Sequence, residues 1–148
     1  MKYKKTKLFT LIALSAYTAI MVYLMLFGFG RITHSDYLYN LVPFKTIRYP
    51  FEIYIQHNIW HYSIWNIFGN IGMFIPFGIL LAILFDFKFI KSLIIFEIGL
   101  LMLEVAQLIS RRGVFDIDDI ILNTIGFLTG YAIISIIHKI INKFRRHK

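Results

Sequence analysis

The chain has 148 residues, of which 58% are hydrophobic and only 16% are charged. Soluble domains carry roughly 45–50% apolar and about 25% charged residues, so this composition excludes an ordinary soluble protein and indicates an integral membrane protein. The formal net charge is +8, but Lys and Arg are concentrated at the two chain ends, as in basic segments that flank a membrane rather than bind nucleic acid. The sequence has no cysteine, which excludes disulfides, a thiolate nucleophile and a cysteine-ligated zinc site.

Four apolar runs predict four transmembrane helices in a single domain, 1–148. About 20 apolar residues cross the roughly 30 Å hydrocarbon layer of a bilayer. The expected spans are 8–29, 63–85, 89–110 and 120–141. The first run is longer than the roughly 7–15 apolar residues of a signal peptide, so we expect it to be retained as a span. The predicted fold is an all-α bundle.

The distribution of basic residues predicts that both termini are cytoplasmic. This orientation puts eleven Lys and Arg residues on the cytoplasmic side and five outside, as the positive-inside rule prefers. The connections 31–62 and 111–119 then face outward. The longer of them is rich in aromatic and aliphatic residues, so we expect it to lie against the outer membrane surface as a lid or rim.

Pairs of polar residues recur on one helical face in each of the last three spans. The pairs are Asn66 with Asn70, Glu104 with Gln107, and Asp119 with Asn123. Residues three or four apart project to the same side of a helix, and the predicted orientation puts all three pairs in the outer half of the bilayer. A central Asp, Lys or Arg costs on the order of 2.5–3.5 kcal/mol in hydrocarbon, so function is the default interpretation. The sequence predicts a polar pocket near the outer face.

The residue types in and beside this pocket suit phosphate binding and proton transfer. Arg111 or Arg112 could bind a phosphate through the guanidinium fork, and Glu104 is a candidate general acid or base. A structural interpretation stays open. Asp118 or Asp119 could cap the fourth helix, the arginines could pair with the aspartates, and the amides could join helices for about 0.6 kcal/mol each.

Other polar residues give weaker signals. His57 and His61 have the spacing of two metal ligands on a helix, but no third ligand is evident nearby. The three aspartates at 116–119 lack the spacing and the glycine of a calcium loop. We therefore expect no metal and no cofactor. Glu97 lies deeper in the third span, where it either relays protons or hydrogen-bonds to a neighbour.

Four spaced sequence elements resemble the VanZ-like family of bacterial membrane proteins. They are Asn-Leu-Val-Pro-Phe-Lys-Thr-Ile at 40–47, Asn-Ile-Phe-Gly-Asn-Ile-Gly-Met-Phe-Ile-Pro-Phe-Gly at 66–78, Glu-Val-Ala-Gln at 104–107, and Phe-Asp-Ile-Asp-Asp-Ile-Ile-Leu-Asn-Thr-Ile-Gly at 115–126 with Gly-Tyr at 130–131. The resemblance implies a multi-pass protein of the bacterial cell membrane. The family's named member is associated with low-level resistance to the glycopeptide teicoplanin, and the family looks like lipid-active membrane enzymes that act on headgroups or phosphate-linked lipid carriers.

The resemblance also implies which residues form the pocket. Carried over by position, they are Asn66, Asn70, Glu104, Gln107, Asp116, Asp119 and Asn123. Our hypothesis is a site that binds, and in its stronger form modifies, a phosphate-bearing lipid or lipid-linked cell-wall intermediate. Glu104 and Asp119 would be catalytic, and the substrate-binding residues would be Asn66, Asn70, Gln107, Arg112, Asp116 and Asn123. The alternative is a non-catalytic lipid-binding or accessory protein that limits antibiotic access to its target. Membrane lipids are the expected partners on both hypotheses, and nucleic acid is not.

Overall fold

The structure is a bundle of four long helices with two short strands at one end. The computed structural model describes residues 2–28, 30–49 and 61–146. Its elements in chain order are α1 (Lys2–Phe27), β1 (Leu38–Asn40), α2 (His61–Leu84), α3 (Phe89–Ser110), β2 (Val114–Asp116) and α4 (Ile117–Arg146). A short helical turn at 45–49 follows β1.

Each of the four helices is long and apolar enough to cross a membrane, which confirms the predicted all-α membrane architecture. The membrane-length segments are Tyr3–Phe27, Ile67–Leu84, Phe89–Ser110 and Ile117–Arg145. Helices suit hydrocarbon because they satisfy their own backbone hydrogen bonds. α1 and α4 extend further than predicted, because the basic residues at both chain ends continue the helices beyond the apolar runs. The assignment of one side as cytoplasmic stays a prediction.

Glycines bring α2 and α4 into close contact. A Cβ atom added at Gly126 of α4 would lie 2.2 Å from the carbonyl oxygen of Ile71, and one added at Gly130 would lie 2.0 Å from that of Ile75. Gly78 of α2 faces the backbone of α4 equally closely. The two helices therefore touch backbone to backbone, which small residues permit in membranes. This contact fixes the relative depth of the polar residues on α2 and α4.

An aromatic core fills the interior of the bundle. Its buried members come from all four helices and are Met21, Met25, Phe74, Phe77, Leu81, Phe96, Leu100 and Phe127. The rings of Phe96 and Phe127 stack with centroids 4.5 Å apart, which joins α3 to α4. Aromatic pairs of this kind add about 0.5–1.5 kcal/mol beyond the burial of their area. The core supports the polar residues that lie next to it on α2, α3 and α4.

The end of the bundle where α2 joins α3 is called the turn end here. Near the start of α1, Lys7 forms a 2.6 Å ion pair with Asp86 in this turn, and Tyr3 donates a hydrogen bond to the same carboxylate. The hydrogen bond from Lys7 is the main reason that the pKa of Asp86 lies below its ordinary value. The ring of Phe87 stacks on His138 of α4, with centroids 4.1 Å apart. The start of α1 and the last part of α4 therefore meet at one end.

The opposite end, called the loop end, holds a two-stranded parallel sheet. β1 pairs with β2 in the register Leu38 with Val114, Tyr39 with Phe115, and Asn40 with Asp116. The sequence analysis did not predict these strands, because each has three residues and pairs with a partner far away in the chain. Their pairing holds the chain that follows α1 across the start of α4.

The side chain of Asp118 fixes the chain that follows β1. One of its oxygens accepts the backbone N–H of Phe44 at 2.5 Å, and the other accepts those of Thr46 at 2.7 Å and Ile47 at 3.2 Å. Hydrogen bonds to a charged group contribute about 1.5–3 kcal/mol. The described first part of the long connection is therefore folded onto the loop end. Residues 50–60 of the predicted lid lie outside the described residues.

Candidate functional site

One face of α3 points into the bundle and ends in two polar residues. Phe96, Leu100, Glu104 and Gln107 are all buried, and their spacing of three or four residues keeps them on one stripe. Glu104 is 0% exposed. The predicted shared face of Glu104 and Gln107 is therefore an inward face, in the last two turns before the loop end.

The carboxylate of Glu104 has no hydrogen bond of normal geometry to either oxygen within the described residues, although the backbone N–H of Asp116 acts on it outside that geometry. The charged groups that act on it electrostatically are Asp119, Asp116 and Arg31. An unfilled buried carboxylate is unusual in a folded protein and calls for a specific explanation.

α4 places Asp119 and Asn123 one turn apart on the same face. Asp119 accepts a 2.7 Å hydrogen bond from the amide Nδ2 of Asn70, which connects α4 to α2. Asn123 is 1% exposed, and within the described ranges its Oδ1 has no hydrogen-bond partner. The structure thus brings Asn70 and Asp119 into direct contact, places Glu104 in electrostatic range of Asp119, and buries Asn123 one turn away.

Arg31, which the sequence analysis did not select, supplies the positive charge of the site. It follows α1 at the loop end and acts electrostatically on both Glu104 and Asp119. Its Nη1 donates a 3.2 Å hydrogen bond to the backbone oxygen of Arg112. A Cβ atom at Gly113 would lie 2.7 Å from the same Nη1, so Gly113 leaves the space that the guanidinium occupies. The only sequence signal was a basic residue directly after a span, which also occurs at many membrane borders.

The structure does not bring the side chains of Arg111 and Arg112 to the carboxylates. The Arg112 guanidinium lies over the ring of Phe27 at 4.8 Å. That of Arg111 lies over Tyr37 at 5.4 Å and donates a 3.0 Å hydrogen bond to the backbone oxygen of Ser35. Arg111 is the C-cap of α3 and has the left-handed conformation, with φ of 56°. The chain leaves the helix at this residue, so the two arginine side chains do not continue the inward face of α3.

The side chain of Asp116, a predicted binding residue, is hydrogen-bonded within the protein. It accepts hydrogen bonds from Asn40 at 3.0 Å and from the hydroxyl of Thr46 at 2.5 Å, and a further one from the backbone N–H of Asp118 at 2.9 Å. Asp116 therefore ties the loop end together and contributes negative charge beside Glu104.

Gln107, another predicted binding residue, joins α3 to α1. Its amide Nε2 donates a 3.0 Å hydrogen bond to the backbone oxygen of Met25. This bond holds the end of α1, from which Arg31 follows. Gln107 is therefore placed to position Arg31 through the backbone.

Some predicted residues lie where their side chains are not described. Asn66 is one turn before Asn70 on α2, but its side chain lies outside the described part of the structure, and so does that of His61. His57 lies outside the described residues altogether. Among the described residues, no group of three or more His, Asp or Glu side chains could hold a metal ion.

Glu97 lies apart from this site. It is two turns deeper on α3 than Glu104, and its Oε1 accepts a 2.9 Å hydrogen bond from the hydroxyl of Thr124. Of the two possibilities open from the sequence, the structure shows the hydrogen bond to a neighbour.

The four membrane-length helices and the buried polar cluster between them define a multi-pass membrane protein with an intramembrane polar site. The family model for VanZ/LLP1 matches residues 14–138, and the chain belongs to this family. The matched segment runs from α1 into the last part of α4 and contains the whole cluster, from Arg31 to Asn123. The resemblance seen in the sequence is thereby confirmed. No curated protein and no solved structure matches the chain.

Proposed function

We propose that the polar site binds the headgroup of a phosphate-bearing lipid or lipid-linked cell-wall intermediate and moves a proton to or from it. The observation that carries this proposal is the Glu104 carboxylate, which is 0% exposed and unpartnered within the described residues. A buried polar group without a partner costs free energy. A ligand that supplies the missing hydrogen bonds would explain why the Glu104 carboxylate is buried near an arginine.

The proposal gives each residue of the cluster a role. In this proposal Arg31 takes the phosphate-binding role given to Arg112, because its charge acts electrostatically on both Glu104 and Asp119, and a guanidinium binds phosphate oxygens in pairs. Glu104 and Asp119 act as proton carriers. Asn70 orients Asp119 through their 2.7 Å hydrogen bond, and the free Oδ1 of Asn123 accepts a hydrogen bond from the bound headgroup.

The distribution of charge supports an outer-leaflet site. The basic residues at the start of α1 and at the end of α4 lie at the turn end, and the positive-inside rule favours that end for the cytoplasm. The polar cluster is at the loop end, so the lipid would come from the outer leaflet. This location suits a lipid-linked cell-wall intermediate and a link to low-level glycopeptide resistance, the property associated with the family.

The catalytic roles are tested with Glu104→Gln and Asp119→Asn in purified protein supplied with headgroup-labelled phospholipid. Both substitutions keep the side-chain shape and remove proton transfer, which contributes about 10²–10⁴-fold to a rate. We expect lipid turnover to fall by that order while binding persists. Glu97→Gln is the matched control, because it changes a membrane carboxylate outside the cluster. Unchanged turnover in both site variants contradicts the catalytic roles.

The hydrogen bonds of Asp116 and Gln107 favour a second candidate function, a non-catalytic lipid-binding or accessory protein that limits antibiotic access. Both side chains hold the loop end together rather than face an open space. On this hypothesis Arg31→Met weakens binding of anionic lipid, and Glu104→Gln changes neither the bound lipid nor any resistance phenotype. The same set of variants therefore separates the two functions.

A further inference from the structure

An apolar groove lies between α1 and α3, with α2 behind it. Its volume is about 440 Å³, within the roughly 300–1,000 Å³ of small-molecule sites. α3 lines it from Ile95 to Ala106, α1 with Leu14 and Thr18, and α2 with residues that include Phe74. Among the described residues that line the groove, the hydroxyl of Thr18 is the only polar side-chain group. The groove therefore offers contact area to hydrocarbon and almost no hydrogen bonds.

The position of the groove limits what can fill it. The stretch of α3 that lines it is about 16 Å long at a 1.5 Å rise per residue, about half of the roughly 30 Å hydrocarbon layer. A groove at that depth meets lipid rather than water, and apolar cavities do not hold water. The surrounding bilayer supplies hydrocarbon tails, so a lipid tail is the expected occupant of the groove.

The groove passes within one helical turn of the polar site. Leu100, which lines the groove, is four residues from Glu104 on α3, and Phe74 is four residues from Asn70 on α2. One turn of helix rises about 5.4 Å. A lipid whose headgroup contacts Glu104 would therefore enter the groove with the first part of its tail.

We propose that this groove binds a tail of the lipid whose headgroup occupies the polar site, so that the protein selects long-tailed phosphate lipids over short-tailed ones. This inference rests on the proposed function for the identity of the headgroup. It adds a specificity element made of α1, α2 and α3 that is separate from the carboxylates and Arg31.

Gly99 allows the groove to be filled without disturbing the bundle. It lines the groove, and a Cβ atom built on it meets no described atom within 4 Å. Gly99→Leu therefore places a side chain in the space of the tail. Gly72 on α2 is open in the same way but does not line the groove. Gly72→Leu is a matched control, because it adds the same side chain and the same gain in helix propensity.

The experiment is native mass spectrometry of the full chain supplied with phosphatidic acid that carries either hexanoyl or palmitoyl tails. We expect the wild type and Gly72→Leu to bind the palmitoyl lipid in preference. The ratio of palmitoyl to hexanoyl lipid bound by Gly99→Leu should fall to about one, because the tail no longer contributes to the difference in affinity. A preference that survives in Gly99→Leu, or that is missing in the wild type, overturns the groove proposal.

Two further outcomes separate the groove from the headgroup site. If Gly99→Leu removes the tail preference while Arg31→Met leaves the amount of bound lipid unchanged, the groove stands and the proposed headgroup site fails. If Arg31→Met abolishes binding of both lipids while Gly99→Leu keeps the preference, the headgroup site stands and the groove fails. A dimer that Gly99→Leu converts to a monomer would make the groove an interface between two copies and would overturn its assignment to a lipid tail.

Discussion

The contact between α2 and α4 predicts that Gly126→Ala damages both the stability and the site. The added Cβ would lie 2.2 Å from the backbone oxygen of Ile71, whereas ordinary contacts begin at 3.4 Å. Since neither atom belongs to a flexible side chain, the helices must separate by about 1.2 Å. Overpacking of this kind costs about 1–3 kcal/mol. Asn70 and Asp119 sit on these two helices, so the same displacement would lengthen and weaken their 2.7 Å hydrogen bond.

The assay combines thermal unfolding in detergent with lipid binding by native mass spectrometry. Gly72→Ala is the control, because it makes the same substitution on α2 at a position with no described atom within 4 Å of the new Cβ. Alanine in place of a helical glycine contributes about 0.5–1 kcal/mol of stability in such an open position. We therefore expect the unfolding temperature to fall for Gly126→Ala and to stay equal or rise for Gly72→Ala.

The result that would refute this reasoning is an equal unfolding temperature for the two variants. It would mean that α2 and α4 do not touch through their backbones at Gly126. A lower unfolding temperature with undiminished lipid binding would refute only the second part, the dependence of the Asn70–Asp119 hydrogen bond on helix spacing.

Four further predictions address single contacts. Gly113→Ala should displace the Arg31 guanidinium and weaken lipid binding, with a moderate loss of stability because Nε2 and Cβ of buried Gln107, at 3.1 and 3.2 Å from the new Cβ, must also shift; binding and unfolding measured together check this. Asp118→Asn should speed hydrogen exchange of the three loop amides bound to the carboxylate, because a hydrogen bond to a charged group contributes about 1.5–3 kcal/mol of free energy. Asp86 should raise the unfolding temperature of the wild type above that of Asp86→Asn. This difference should be complete above pH 3.8, the ordinary pKa of an aspartate carboxyl, and should vanish as the pH falls through the lowered pKa of Asp86 in the folded protein. Glu104→Leu should raise or preserve the unfolding temperature while abolishing lipid binding, because it removes an unfilled buried group; lower stability would contradict a ligand-binding role.

The spans and the inward faces could be predicted because their signals are local. A run of about 20 apolar residues is enough to identify a membrane helix, and the spacing of Glu104 and Gln107 is enough to put both on one face. The inward direction of that face followed from the cost of polar groups in lipid. In the structure Glu104 is fully buried and Gln107 nearly so.

The positions of the arginines could not be predicted because they depend on where the chain changes direction. Arg111 and Arg112 are closest in sequence to the carboxylates, but the left-handed cap at Arg111 directs both side chains to aromatic rings. Arg31 is more than seventy residues from Glu104 in the sequence and comes into electrostatic range of it only through helix packing. Sequence distance alone therefore could not identify Arg31 as an arginine that acts on the carboxylates.

The hydrogen bonds of the polar residues separate those that hold the bundle together from those that keep an unfilled oxygen. The carboxylate of Asp116 is filled by groups of the protein itself, and one oxygen of Glu97 accepts a hydrogen bond from Thr124 of a neighbouring helix. A polar residue that only joined helices would be filled in the same way, since an unfilled oxygen is most costly inside hydrocarbon. Glu104 and Asn123 keep oxygens that none of the described residues fills. Glu104 lies in electrostatic range of Asp119, Asp116 and Arg31, and Asn123 is one helical turn from Asp119. The unfilled oxygens of Glu104 and Asn123 therefore support the proposed headgroup site, in which a ligand would supply the donors.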